Sequence, residues 1–104
     1  MAPVVLAVNT PPVAVDDVAE AVSGSDASIS VLDNDTDIDG DLLTLSLDAN
    51  ALPSNGTVSL SPDGQVIVYA SIEGFVGEDA FSYVIDDNNG GTDIGDVVVS
   101  VIDF

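Results

Sequence analysis

Apolar and polar residues alternate with a period of two over most of the chain. Clusters of Gly, Pro, Asn and Asp interrupt the alternation about every eight to twelve residues. This pattern predicts short antiparallel strands, because successive side chains of a strand lie on opposite faces of its sheet. No window of about ten residues has the spacing of an amphipathic helix. Strands are predicted at 13–15, 19–22, 27–32, 42–48, 57–61, 66–70, 80–86 and 93–102.

The same alternation predicts which side chains form the core. They are Ile29, Val31, Leu43, Leu45, Leu47, Val66, Val68, Phe81, Tyr83, Ile85, Val97, Val99 and Val101. Between two predicted strands, Asp63-Gly64 is typical of a two-residue hairpin turn, because both central positions of that turn need positive φ. Asn55-Gly56 predicts a second turn.

The segment 79–85 has the spacing of an immunoglobulin F strand. Tyr83 lies where such domains form a tyrosine corner, and Ile85 where antibody domains carry their second cysteine. The alternative is an ordinary strand with a buried tyrosine. The chain has no Trp for the usual core position, which disfavours a true antibody domain. We therefore predict an all-β sandwich of about seven strands.

The charge of the chain excludes several classes of partner. Of its 104 residues, 19 are Asp or Glu and none is Lys, Arg, His or Cys, so the formal net charge is -19. Nucleic acids and anionic membranes are bound mainly by cationic side chains, so neither is an expected partner. With 46% hydrophobic residues the chain is too apolar for disorder. Folding therefore calls for positive charge from outside the chain.

Five carboxylates lie within the nine residues 33–41. A hard cation with six to eight oxygen ligands suits such a segment, and Ca²⁺ accepts irregular oxygen cages that Mg²⁺ rejects. The spacing fits the opening of an EF-hand, but Ser46 stands at the twelfth position and strands flank the segment, so an EF-hand is rejected. The alternative is a set of solvated turn aspartates. Further ligands are available at Asp16 and Asp17 and in the segment 86–91.

Several segments together resemble the bacterial cadherin-like and Ig-like tandem repeats of RTX-type adhesins. These segments are 9–17, 31–41, 56–58, 77–83 and 86–91. The resemblance implies an immunoglobulin/cadherin-like sandwich in a type I secreted surface protein, where Ca²⁺ in loops and at domain junctions makes the array rigid. The calcium ligands that it implies are Asp35, Asp37, Asp39 and Asp41, then Asp16, Asp17, Asp86 and Asp87, with Asn9 and Asp103 at junctions. The sequence departs from the usual pattern at Ile38, where Pro is common, and at Asp87, where Gly or Ala often follows the first Asp.

The predicted function is that of a calcium-binding extender repeat of a large bacterial surface adhesin. Residues 1–12 are predicted to be the end of a preceding repeat and a proline-rich linker, and residues 13–104 the sandwich. The expected partners are neighbouring repeats of the same polypeptide, with no membrane insertion and a monomeric isolated domain. The alternative is a carbohydrate- or protein-binding module of a secreted protein. An enzyme is not expected, because only a paired-carboxylate hydrolase is compatible with this composition, and its raised carboxyl needs an apolar cleft.

Overall fold

The computed structural model describes residues 9–103, which form two packed β-sheets. Seven strands make up the sheets. They are β1 (Asp17–Val22), β2 (Asp26–Ile29), β3 (Thr44–Leu47), β4 (Gly56–Leu60), β5 (Ile67–Ser71), β6 (Gly77–Asp86) and β7 (Thr92–Ile102). The order is β1-β7-β6-β3 in one sheet and β2-β5-β4 in the other. The prediction of an all-β sandwich of seven strands is confirmed.

One pair of strands departs from the predicted antiparallel arrangement. Strand β1 runs parallel to β7, with Asp17 opposite Val97 and Val22 opposite Ile102, whereas the other pairs are antiparallel. A parallel pair needs a long crossover between its strands, and here the whole of the domain from β2 to β6 supplies it. Among residues 9–103, no helix is long and apolar enough to cross a lipid bilayer.

The core lies between the inner faces of the two sheets. Its fully buried side chains include Tyr69 and Tyr83, and the ring of Tyr69 stacks on Phe81 with centroids 6.3 Å apart. Gly95 lies opposite Tyr83 in the β6–β7 ladder, and a Cβ atom there would collide with the tyrosine ring. Glycine at this position therefore gives the largest core side chain of β6 its space.

Four predicted strands differ clearly from the observed ones, among them 80–86, which begins three residues earlier, at Gly77. Over 13–15 only Val13 pairs, in a single bridge to Thr36. The predicted strand 27–32 ends at Ile29 and gives way to a 3₁₀ turn, Val31–Asn34. The predicted strand 42–48 begins only at Thr44, because Leu42 belongs to the acidic loop before it. Over 13–15 the backbone donors of Ala14 and Val15 bond the distant carboxylates of Asp93 and Asp35 instead of a neighbouring strand. In the segments 27–32 and 42–48, local turns at 30–35 and 37–40 replace the strand.

Two core predictions, one on β5 and one directly before it, were also wrong. Val66 and Val68 are only half-buried, whereas Ile67 and Tyr69 are fully buried. Both alternating sets on this strand are apolar, so the period of two does not identify the inner face, and the larger side chains occupy it. Leu43 and Leu47 are likewise only half-buried, while the remaining predicted core residues are buried.

The hairpin between β4 and β5 turns one residue earlier than predicted. Gly64 N donates to Ser61 O over 2.8 Å, so Pro62 and Asp63 are the central residues of the turn. Proline favours the first central position because its φ is fixed near −65°. Of the two residues predicted to have positive φ, only Gly64 does, at 72°.

Asp79 is a buried carboxylate that the sequence did not single out. Its Oδ1 accepts hydrogen bonds from Ser54 N and Ala80 N, and its Oδ2 accepts from Asn55 N and Tyr69 Oη. Burial, together with the hydrogen bond to Asp79 and its charge, raises the pKa of Tyr69. This carboxylate therefore holds the loop between β3 and β4 against the core.

The two ends of the sandwich carry opposite termini of the described chain. Asn9 Nδ2 donates to Asp87 Oδ2 in the loop between β6 and β7, at the end that also carries the acidic loop 35–42. We call this the loop end. Asp103 follows the far end of β7, where Ser23 N donates to Ile102 O. Residues 1–8 of the predicted linker segment and Phe104 lie outside the described residues.

Candidate metal centre

The acidic loop begins with a carboxylate that serves the core. Asp35 is 9% exposed; its Oδ1 accepts from Val15 N over 2.8 Å and its Oδ2 from Tyr83 Oη over 2.7 Å. The predicted tyrosine corner is therefore wrong in its partner, since Tyr83 donates to a distant carboxylate rather than to backbone a few residues upstream. Both oxygens of Asp35 are occupied within the chain, and burial followed by contact with Asp35 raises the pKa of Tyr83.

Three further carboxylates converge in the following loop. Asp37 Oδ1 accepts from Asp39 N over 2.8 Å and from Asp41 N over 3.4 Å, and Gly40 N donates to Asp37 O. Gly40 has a φ of 72°, which lets the chain fold back tightly. One carboxylate oxygen from each of Asp37, Asp39 and Asp41 lies within 4.8 Å of the other two.

Two oxygens of this trio are buried without a donor. Among the residues that the structure describes, nothing donates to Asp37 Oδ2 or Asp41 Oδ2, although both atoms are shielded from solvent. An unpaired buried carboxylate oxygen is costly, and the sequence has no cationic side chain to pair with it. The donor set of closely spaced, purely anionic oxygens fits a hard divalent cation such as Ca²⁺. We call Asp37, Asp39 and Asp41 the carboxylate trio.

The residues before β1 touch the carboxylate trio directly. Thr10 N donates to Asp39 Oδ2 over 2.7 Å, and Val13 and Thr36 exchange backbone hydrogen bonds of 2.7 and 3.0 Å. Beside these contacts, an open groove of about 390 Å³ lies between the incoming chain and the acidic loop. It is lined by Thr10, Pro11, Val13, Thr36, Asp37 and Ile38. The position of the incoming chain is thus coupled to the geometry of the trio.

The predicted ligands Asp86 and Asp87 lie at the same end of the sandwich but serve their own loop. Asp87 is 1% exposed; its Oδ2 accepts from Asn9 Nδ2, and its Oδ1 accepts from Asn89 N and Gly91 N. Burial acts to raise the pKa of Asp87, but these hydrogen bonds outweigh it and lower the pKa. Asp86 Oδ1 accepts from Asn88 N. Both carboxylates therefore shape this loop.

Asn88 was not predicted, although it connects the two loops. Its Nδ2 donates to Leu42 O over 2.8 Å, directly after the trio, and its Oδ1 accepts from Thr44 Oγ1. It has a φ of 65°, unlike the other described non-glycine residues, and Asn tolerates this conformation better than most residues. The run of two asparagines before two glycines was the available signal for such a turn.

The predicted ligands Asp16 and Asp17 lie at the start of β1, and Asp17 lies beside Tyr83. Asp17 Oδ1 accepts from Asn34 Nδ2 over 2.9 Å, and its Oδ2 lies 3.3 Å from Tyr83 Oη. Tyr83 has one hydroxyl proton, and its shortest contact is with Asp35. Partial burial raises the pKa of Asp17. Its hydrogen bonds to Asn34 and Tyr83 act to lower the pKa, but the negative charges of Asp35 and Asp16 raise it further, and the pKa remains above its ordinary value. Asp16 Oδ1 accepts from Asp96 N.

Replacing Asp17 with Asn is expected to stabilise the metal-free domain at pH 7. A carboxyl whose folded-state pKa is raised opposes folding while ionised, and this opposition fades as the pH falls through the raised value. The amide of Asp17→Asn would keep an acceptor for Asn34 and offer Tyr83 a donor. Thermal melts in calcium-free buffer should show a higher melting temperature for Asp17→Asn than for the parent at pH 7 and a smaller gap near about pH 4. If the difference in melting temperature between Asp17→Asn and the parent grew as the pH fell, the raised pKa of Asp17 would be contradicted.

The structure thus brings together three of the ten predicted ligands as a carboxylate trio. Asp35, Asp86, Asp87 and Asn9 lie at the loop end, whereas Asp16 and Asp17 lie nearer the middle of β7, where Asp17 is opposite Val97. Each of these six residues has a hydrogen-bond partner of its own. Asp103 lies at the opposite end, beyond β7.

Solved structures that share the fold include parts of larger carbohydrate-related proteins. An endo-fucoidan hydrolase from glycoside hydrolase family 107 matches with a TM-score of 0.64 and 18% identity over 89% of this chain. A second endo-fucoidan hydrolase of that family matches with a TM-score of 0.62 and 18% identity over 88% of this chain. A nucleoside hydrolase-related hypothetical protein from Saccharophagus degradans, associated with carbohydrate metabolism, matches with a TM-score of 0.53 and 22% identity over 90%. At these identities the likeness concerns the fold alone.

The aligned regions are small parts of those proteins, since this chain covers 14%, 16% and 26% of their respective lengths. No curated protein matches the sequence. Residues 9–100, nearly the whole described chain, match the family of the bacterial Ig domain. The seven-stranded sandwich and this match agree, and the chain belongs to the bacterial Ig domain family.

Proposed function

We propose that this domain is a calcium-binding extender repeat of an extracellular bacterial adhesin, made rigid by Ca²⁺. The observation that carries the proposal is the pair of buried oxygens, Asp37 Oδ2 and Asp41 Oδ2, without a donor among the described residues. They belong to a trio of carboxylates in a chain without any Lys, Arg or His. A bound cation is the simplest source of the missing positive charge.

Asp37, Asp39 and Asp41 would hold the ion, whose role is to neutralise their charge. Ca²⁺ takes six to eight oxygen ligands, so backbone carbonyls and water would complete its shell. Without it, three carboxylates with oxygens within 4.8 Å of one another repel at short range. Binding therefore favours the folded loop over any state in which the trio is dispersed.

The coupling between the trio and the incoming chain supports a mechanical role. Thr10 N donates to Asp39 Oδ2, so ordering Asp39 also fixes the direction of the segment Thr10 to Pro12. Pro11 and Pro12 restrict that segment further, because proline fixes φ and removes a donor. The described chain enters at the loop end and leaves at the opposite end, which suits a head-to-tail array of such domains.

In a chain of four copies, calcium is expected to straighten the array as well as stabilise each domain. Strand β7 has 11 residues, so each sandwich should be about 40 Å long including its end loops. Small-angle scattering should then give a rod of roughly 160 Å in calcium and a shorter, more variable particle in chelator. Equal maximum dimensions and flexibility in both conditions, with every domain folded, would refute the extender role.

A matched variant separates straightening from folding. Thr10→Pro removes the N–H that bonds Asp39 without changing the trio. The four-copy chain with this change should still bind calcium but straighten less. Because a third proline also stiffens the linker in both conditions, the comparison is the change on adding calcium. If calcium changes the dimensions of this variant as much as those of the parent, the linker contact has no mechanical part.

The second candidate is a carbohydrate- or protein-binding module of a secreted protein. The observation that favours it is the similarity of the fold to parts of endo-fucoidan hydrolases. Carbohydrate sites usually present aromatic platforms, whereas Tyr69, Tyr83 and Phe81 are buried in the core. Affinity electrophoresis in polysaccharide gels, fucoidan among them, tests this candidate: calcium-dependent retardation would support it, and unaltered mobility would exclude those sugars. We propose no enzymatic activity for the domain.

A further inference from the structure

The sequence contains two Asn-Gly dipeptides, Asn55-Gly56 and Asn89-Gly90, in contrasting settings. Asparagine is a chemically labile residue. Its side-chain carbonyl carbon is open to attack by the backbone nitrogen of the next residue, and glycine gives that attack the least steric hindrance. The conformational freedom of each dipeptide therefore decides whether the reaction proceeds.

Asn89 and Gly90 lie in the exposed loop between β6 and β7. Gly90 has a φ of 95°, and a Cβ atom built there would meet nothing within 4 Å. Among residues 9–103, no acceptor engages Gly90 N. The attacking nitrogen is therefore free. Asn89 itself makes one short bond, from its backbone N to Asp87 Oδ1 over 2.8 Å, and two long ones of 3.3 Å, from its Nδ2 to Asp87 O and from Asn9 Nδ2 to its O.

Asn55 and Gly56 are held in place at the start of β4. Asn55 N donates to Asp79 Oδ2 over 3.1 Å, and Asn55 O accepts from Ile72 N over 2.8 Å. A Cβ atom on Gly56 would lie 2.6 Å from Ala70 O and 2.9 Å from the ring of Tyr69. The rotation that brings Gly56 N to the Asn55 side chain would break these contacts.

We propose that Asn89 is a site of spontaneous deamidation and that the fold protects Asn55 from it. The Gly90 nitrogen loses its proton and bonds to Asn89 Cγ, and the Cγ–Nδ2 bond breaks to release ammonia and leave a cyclic imide. Water then opens the ring. Cleavage of the bond from nitrogen to Cγ gives an ordinary aspartyl residue in place of Asn89, and cleavage of the bond from nitrogen to the main-chain carbonyl carbon gives an isoaspartyl linkage.

The modification would alter the loop that anchors the incoming chain. Asp87 Oδ1 accepts from the backbone nitrogens of Asn89 and Gly91, which lie on either side of the reacting bond. An isoaspartyl linkage adds a methylene to the main chain between them and displaces one donor. Asn9 Nδ2, which contacts both Asp87 Oδ2 and Asn89 O, would lose part of its anchor.

Peptide mass spectrometry of the incubated parent protein tests the proposal. The folded protein is kept in mildly alkaline buffer and digested with an endoproteinase that cleaves at acidic residues, because the chain has no Lys or Arg for trypsin. Deamidation at Asn89 should exceed that at Asn55 by about tenfold or more, since reaction at Asn55 must displace a strand residue packed against Tyr69 and Ala70, whereas the surroundings of Gly90 are open. In guanidinium chloride the two sites should react at similar rates. Asn89→Gln should abolish deamidation at position 89. Asn55→Gln should leave the rate of deamidation at Asn89 unchanged.

Two outcomes would overturn the proposal. One is deamidation at Asn55 that equals or exceeds that at Asn89 in the folded protein. The other is an Asn89 that stays intact in the folded protein and reacts only in denaturant, because the loop would then be as protective as the strand.

Discussion

Removal of calcium is expected to lower the melting temperature of this domain strongly. A ligand that binds only the folded state adds about 4 kcal/mol when it is a thousandfold above its dissociation constant. For a domain of about this size, that corresponds to a shift of roughly 16–32 °C. The physical source is the repulsion within the carboxylate trio, whose buried oxygens lack a donor among the described residues. Differential scanning calorimetry in excess chelator and in millimolar calcium measures the shift.

Asp37→Asn sharpens this test because its effect should change sign with the metal. In chelator the variant should melt at or above the parent's temperature, since it removes one charge from a repelling trio. In calcium it should melt well below the parent, because a ligand is lost. A parent protein with the same melting temperature in both conditions would refute the calcium proposal.

Asp79→Ala is expected to destabilise the domain by about 3–5 kcal/mol, independently of calcium, since each donor left unsatisfied in the interior costs about 1–3 kcal/mol. Four donors lose their acceptor at once, and Tyr69 Oη is buried where water cannot easily replace the carboxylate. Denaturant unfolding in calcium and in chelator should show the same loss in both conditions.

Asp26→Ala is the matched control for Asp79→Ala. Asp26 is exposed on β2, and no side-chain hydrogen bond involves its carboxylate among the described residues. Its removal should change the free energy of unfolding by less than about 0.5 kcal/mol. Similar losses in the two variants would mean that charge, rather than the hydrogen bonds of Asp79, governs stability.

The fold was predictable from the sequence because pattern and turn chemistry agreed over most strands. Strands β6 and β7 bury alternate residues over most of their length. They were predicted at 80–86 and 93–102, and the structure has them at Gly77–Asp86 and Thr92–Ile102. Strand β5 shows where the pattern is ambiguous: Val66 and Val68 compete with Ile67 and Tyr69 for the inner face, and only tertiary packing decides between them. The parallel pairing of β1 with β7 depends on contacts distant in sequence, which local patterns do not encode.

The candidate site was predictable in composition but not in detail. The density of aspartates indicated a cation, yet their roles depend on burial that the sequence does not reveal. Asp35 and Asp37 are two residues apart; the first accepts hydrogen bonds from Val15 and Tyr83 on both of its oxygens, while the second keeps a buried oxygen without a donor among the described residues. The bond from Thr10 N to Asp39 joins residues far apart in sequence and leaves no local signal.

Calorimetric titration of calcium into chelator-stripped protein tests the central claim most directly. The parent and Asp26→Asn, which alters an exposed carboxylate outside the trio, should bind calcium with the same stoichiometry and affinity. Asp37→Asn should lose at least one binding event, because the amide keeps the oxygen that closes the loop but replaces the unpaired buried Oδ2 with a nitrogen, which does not bind Ca²⁺. Saturable binding that is lost only in Asp37→Asn is the predicted result; no binding by the parent, or unchanged binding by Asp37→Asn, would contradict the account.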